Sequence, residues 1–103
     1  MKIGKLVNNL MPTIIEKGLI SDNEIENLQK KEYSKITFNV TFPLLKKVDK
    51  KLSLRENLMI NGYPRYNEKP IETYKGQYLL TSEWKEYNRD DFMNWLRNKV
   101  KNS

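Results

Sequence analysis

The amino-acid sequence predicts a single α+β domain over residues 1–103. Three observations carry that prediction. Apolar residues recur at helical spacing near both ends, two runs after Asn61 alternate as strands do, and Gly, Pro and Ser punctuate the chain into short elements. With 103 residues, 38% hydrophobic and 31% charged, the chain has material for one core and not for two. Its 2 Trp, 6 Tyr and 3 Phe would be out of place in a disordered chain.

Ile3, Leu6, Val7, Leu10, Ile14 and Ile15 lie on one stripe of a first helix. Pro12 sits within it, lacks an N–H and crowds the preceding turn, so a kink or break is expected there. Gly18 suits the position just past the helix end, with Leu19 supplying the hydrophobic contact that usually follows. Ser21-Asp22-Asn23-Glu24 reads as a capping box that opens a second helix, with Ile25 and Leu28 facing inward and an end near Lys30 or Lys31.

From Ser34 to Val48 two patterns compete. Ile36, Phe38, Val40 and Phe42 alternate with polar residues as in a strand, while Phe38, Phe42 and Leu45 also fit one helical face behind a Ser34 cap. The preferred reading is a helix from about Ser34 to Thr41, followed by a turn of helix that Pro43 opens and that runs through Val48. Asp49 to Arg55 is a Lys-rich connector, and Asn61-Gly62-Tyr63-Pro64 a turn. Two strands are expected next. Arg65 to Tyr74 is confined to an edge by Pro70, and Gln77 to Ser82 is joined to it by a tight turn at Lys75-Gly76. The last element is a helix on which every local signal agrees. Asn88 caps it, Asp90 and Asp91 sit in its first turn, Phe92, Trp95, Leu96 and Val100 form one face, and Arg97, Lys99 and Lys101 lie in its last turns.

The chain has no Cys and no His. That removes Cys/His zinc sites, thiol nucleophiles, imidazole bases and any disulfide framework, and it fits a protein of the reducing cytoplasm. Asn8 and Asn9 interrupt the first apolar run, so the start does not read as a signal peptide. No apolar stretch approaches the ~18 residues of a membrane span. The only glycines, Gly4, Gly18, Gly62 and Gly76, are isolated, so no glycine-rich phosphate loop is present.

The net charge is +6, from 19 basic and 13 acidic residues. Its distribution is uneven. Lys30, Lys31, Lys35, Lys46, Lys47, Lys50, Lys51 and Arg55 face only Glu32 and Asp49 within residues 30–55, eight against two, so the rest of the chain nets zero. A concentration of this kind suits phosphate neutralisation, and the alternative is a solvated basic face that keeps the protein soluble. On this reading Lys31, Lys46, Lys47, Lys50 and Lys51 hold a nucleic-acid backbone. Ser34, Lys35, Thr37 and Asn39, with Thr41, offer groups able to reach base edges.

Arg65, in Tyr63-Pro64-Arg65-Tyr66, is a further candidate for a groove or a phosphate. The tyrosines around it, with Tyr74 and Tyr78, could stack on the bases of a single strand, but most are read as sheet packing with their hydroxyls at the rim. Phe92 and Trp95 are assigned to the core and Trp84 to a core edge or a partner contact. Glu83-Trp84-Lys85 with Glu68 or Glu72 upstream has the acid and acid-x-lysine order of metal-dependent nucleases, a pattern that arises by chance in a chain this rich in Glu and Lys.

Tyr33-Ser34-Lys35-Ile36-Thr37-Phe38, continuing to Phe42-Pro43-Leu44-Leu45, resembles the recognition-helix region of bacterial helix-turn-helix domains. The order of three helices, a β-hairpin and a closing helix resembles that of winged-helix domains, whose second and third helices form the helix-turn-helix and whose hairpin is the wing. Arg65-Tyr66, Tyr78-Leu79-Leu80-Thr81-Ser82-Glu83-Trp84 and Phe92-Met93-Asn94-Trp95-Leu96 resemble the ending of small uncharacterised bacterial modules. The charge concentration and this helix order together point to a non-enzymatic module for duplex DNA, with Arg65 on the wing; no cofactor and no metal are expected. The rival expectation is a protein-interaction module whose face is the aromatic hairpin with Trp84 and Tyr87.

Overall fold

A computed structural model describes residues 1–100; Lys101, assigned above to the last helical turn, lies outside the described residues. The chain is mixed α+β. Helix α1 spans Ile3–Glu16, α2 Asp22–Leu28 and α3 Lys31–Phe38. Strand β1 (Leu45–Lys47), helix α4 (Leu54–Leu58) and the paired strands β2 (Met59–Ile60) and β3 (Tyr63–Pro64) follow. Strands β4 (Ile71–Thr73) and β5 (Gly76–Leu80), a 3-10 turn at Glu86–Asn88 and helix α5 (Arg89–Lys99) complete the order.

Helix α1 runs through Pro12 without the expected break. Ile3, Val7, Met11, Ile14 and Ile15 are all buried along it. At about 1.5–3 kcal/mol for each buried side chain, their burial outweighs the ~3 kcal/mol of an interior proline. Its end is the one Gly18 predicts. Gly18 adopts φ +64°, its N–H donates to the Ile15 carbonyl at 3.2 Å, and the Leu19 N–H donates to Ile14 at 2.9 Å. At the other end the Glu86 carboxylate accepts the Ile3 N–H at 2.7 Å. A negative charge there satisfies an orphan donor and complements the helix dipole. That hydrogen bond, and secondarily Arg89, holds the Glu86 carboxyl below the usual range.

Only half of the predicted capping box forms. Ser21 Oγ accepts the Glu24 N–H at 3.0 Å, but the Glu24 side chain turns inward rather than back to the cap. Buried to 5% exposure, its carboxylate accepts from Trp95 Nε1 at 2.7 Å, from the Tyr33 hydroxyl at 2.5 Å and from Asn27 Nδ2 at 3.2 Å. One carboxylate thus fastens α2 to α3 and α5, and three donors offset the cost of burying it.

Helix α3 begins three residues before the predicted start. Lys30 is its cap, and it closes at Asn39, which takes a left-handed conformation with φ 59°. Asn is among the few residues that visit that region readily. The turn of helix expected from Pro43 to Val48 is absent; residues 45–47 are strand β1 instead. Two hydrogen bonds set that outcome. The Leu44 carbonyl accepts the Thr81 N–H at 3.0 Å, and the Val48 N–H donates to Gln77 at 2.9 Å, so β5 recruits the segment into its ladder.

The sheet order is β1-β5-β4, antiparallel throughout, with Leu45 opposite Leu80 and Ile71 opposite Tyr78. The predicted hairpin is present, with its turn at Tyr74-Lys75, one residue earlier than expected, and Gly76 at φ +125°. A second hairpin joins β2 and β3 through Asn61 (φ 50°) and Gly62 (φ 83°), the two positive values of a type I′ turn.

The core gathers four aromatic rings. Phe38 of α3 meets Trp84, Phe92 and Trp95 at centroid distances of 5.9, 6.3 and 5.5 Å. Asn88, predicted to cap α5, does not cap it. Its buried amide donates instead to the carbonyls of Phe38 and Asn39 at 2.9 and 3.0 Å, closing the end of α3 against the last helix.

Candidate nucleic-acid interface

Helical spacing sorts α3 into two faces. Ser34 and Phe38, four residues apart, are fully buried, while Lys31, Glu32, Lys35 and Ile36 are exposed. Lys31, Lys35 and Asn39 follow one another at intervals of four along the outer face. With Val40 and Thr41 they line a shallow groove of about 160 Å³. Ile36 is 85% exposed beside them.

Ser34 therefore does not face a groove. Its hydroxyl accepts the Leu44 N–H at 2.9 Å and contacts the Leu28 carbonyl at 3.4 Å, joining α2, α3 and the start of β1. The cause is its position four residues before Phe38, on the buried side. Thr37 is half-buried.

The remaining lysines lie on the segment from β1 to α4. Lys46 points inward as a strut. Its Nζ donates to the Asn57 carbonyl at 2.7 Å and lies 5.6 Å from the Tyr66 ring centroid. Lys47, Lys50, Lys51 and Arg55 are exposed. The loop that carries Lys50 and Lys51 is organised by one buried side chain, Asn57. Its Oδ1 accepts the Asp49 N–H at 2.8 Å, and its Nδ2 donates to the carbonyls of Asp49 and Ser53 at 3.0 and 2.9 Å. Asp49 Oδ1 also accepts the Lys51 N–H at 2.9 Å. Ser53 caps α4 by accepting the Glu56 N–H at 3.1 Å, so the Lys-rich connector ends in a helix that the sequence reading missed.

Arg65 is not on the wing. It lies between β3 and the Tyr66–Thr81 bridge, half-buried, and pairs with Glu83 at 2.5 Å. Its guanidinium stands between the rings of Phe42 and Tyr63, 5.3 and 5.4 Å from their centroids. A phosphate would have to displace Glu83 to reach it. Among the described residues, none of the eight cations from Lys30 to Arg55 pairs with a carboxylate; the ion pairs are Arg65–Glu83, Lys75–Asp22 and Arg89–Glu86.

Tyr66 and Trp84 are buried at 3% and 9% exposure, so they do not join Tyr63 in one exposed apolar face. The Trp84 indole N–H donates to the Thr81 carbonyl at 3.0 Å. Glu83 is committed to Arg65, and Glu72 accepts from Gln77 at 2.5 Å; no three acidic side chains converge among the described residues. No described helix is long and apolar enough to cross a membrane. No family model, curated protein or solved structure matches the chain.

Proposed function

We propose that this chain is a non-enzymatic module that binds duplex DNA in the cytoplasm. The observation that carries the reading is electrostatic. The entire excess charge sits on residues 30–55, and none of those cations is neutralised by a carboxylate among the described residues. A solvated basic face with no partner would gain from interspersed acids, whereas unpaired lysines are ready to displace counterions from phosphates.

The parts then have distinct duties. Helix α3, joined to α2 through Gln29 and Lys30, acts as the recognition helix of a winged-helix-like domain, with Lys31, Lys35 and Asn39 toward the nucleic acid. Lys47, Lys50, Lys51 and Arg55 hold the backbone from the β1–α4 segment. Ser34 and Lys46 belong to the scaffold. The absence of Cys supports the cytoplasmic setting.

Two charge reversals test the reading by fluorescence anisotropy with a labelled duplex. Lys31→Glu with Lys35→Glu probes α3; Lys47→Glu with Lys50→Glu and Lys51→Glu probes the loop. All five positions are exposed, so the fold is expected to survive both. Each set should weaken binding at least tenfold and lower the salt slope by about 1 per lysine removed. Unchanged affinity in both sets would defeat the proposal.

A further inference from the structure

A ring that stacks on a nucleobase needs one open face, a supported back and little freedom to move. Tyr63 offers an exposed ring with a guanidinium over one side of it. It is 63% exposed, it stands beside the two-residue turn of the β2–β3 hairpin, and its partner across the ladder is Ile60. Arg65 supports its back at 5.4 Å.

Arg65 is itself fixed. Phe42 lies against it at 5.3 Å, Glu83 holds its Nη1 at 2.5 Å, and its backbone is tied on both sides. The Arg65 N–H donates to Leu58 at 2.9 Å, and its carbonyl accepts from the Ser82 N–H at 3.0 Å and the Thr81 hydroxyl at 2.9 Å. The other strongly exposed hairpin tyrosine, Tyr74, is differently employed, with its hydroxyl held by Asp22 at 3.0 Å.

Phe42 follows Thr41, which lines the α3 groove with Lys31 and Lys35. The Arg65 guanidinium lies over the Phe42 ring as it lies over that of Tyr63.

We infer that Tyr63 is a stacking platform for an unpaired nucleobase, so that the module favours DNA with an unpaired nucleotide beside a duplex over fully paired DNA. The inference rests on the nucleic-acid reading above. Stacking on an aromatic side chain is tolerant of base identity, so the preference is for an unpaired base and not for a sequence.

The test compares a blunt duplex with the same duplex carrying one bulged 2-aminopurine, at a single salt concentration. The wild-type chain should bind the bulged duplex about tenfold more tightly and quench the probe, as one base–aromatic stack predicts. Tyr63→Leu should bind both duplexes with the blunt-duplex affinity, and Tyr63→Phe should restore the preference. Equal wild-type binding to both without quenching, or a preference that survives in Tyr63→Leu, would overturn the platform while leaving duplex binding intact. Binding to neither duplex at low salt would overturn the nucleic-acid reading, and this inference with it.

Discussion

Asn57→Ala is the most informative single perturbation of the fold, because one buried amide organises the loop that presents Lys50 and Lys51. Three of its hydrogen bonds have good geometry, at 2.8, 3.0 and 2.9 Å; a fourth contact, to the Leu52 carbonyl at 3.5 Å, is too long to count. Each removed bond is worth about 0.5–1.5 kcal/mol. The loop is at the surface, so water re-solvates part of what is exposed, and the expected loss is about 2–3 kcal/mol. In a domain of this size that lowers Tm by roughly 10–20 °C. Urea unfolding followed by tryptophan fluorescence measures it. Asn57→Asp is the sharper control. It can still accept from the Asp49 N–H, but it sets a buried carboxylate against the two carbonyls, so it should cost at least as much. A loss below about 0.5 kcal/mol for either variant would refute the assignment of Asn57 as the organiser of this loop.

Glu24→Leu should destabilise the domain by about 2–3 kcal/mol, since it strands the Trp95 indole N–H in a buried site and removes the partner of the half-buried Tyr33 hydroxyl; tryptophan emission and urea midpoint report it, and a stability equal to wild type would contradict the network. Burial and the Glu24 carboxylate push the Tyr33 phenol up to about 12, and burial pushes Tyr66 higher still. Both groups favour the fold in their protonated form. Their contribution is complete below the ordinary tyrosine range near 10 and is lost as pH rises through the folded value, so stability should begin to fall above about pH 10. A spectroscopic tyrosine titration should show late-ionising phenols, one of which Tyr33→Phe removes; a titration that Tyr33→Phe leaves unchanged in its late phase would contradict the contact with Glu24.

Where local chemistry alone decides an element, the sequence was a sufficient guide. Gly18 ends α1, Ser21 opens α2, the turn before Gly76 joins β4 to β5, and Asp90 and Asp91 lead the closing helix, because each signal acts within a few residues. Readings failed where a distant group wins the competition. Ser34 has the chemistry of a cap, yet it is claimed by the Leu44 N–H ten residues on. Pro43 can open a turn of helix and Leu45 shares a helical face with Phe38 and Phe42, yet the ladder of β5 claims residues 45–47. Asn88 is drawn from its own helix to the end of α3. Two local signals were present and underread. Asn61-Gly62 marks a type I′ hairpin and not merely a turn, and Ser53 with Glu56 opens α4 inside a stretch read as connector.

The candidate site divides in the same way. The charge concentration and the spacing of Lys31, Lys35 and Asn39 are visible in the residues themselves. That Lys46 is a strut under Asn57, and that Arg65 is held by Glu83 between two rings, depends on contacts across the fold. No short-range pattern encodes such contacts.

The central claim is that the unpaired cations of residues 30–55 are a phosphate-binding surface. Affinity for a random-sequence duplex, measured by anisotropy across a salt series, tests it most directly. Seven of those cations are exposed: Lys30, Lys31, Lys35, Lys47, Lys50, Lys51 and Arg55. Engagement of about four to six of them predicts a log–log slope of roughly −4 to −5, with affinity falling steeply as salt rises. No binding at low salt, or binding with a slope near zero, would contradict the claim.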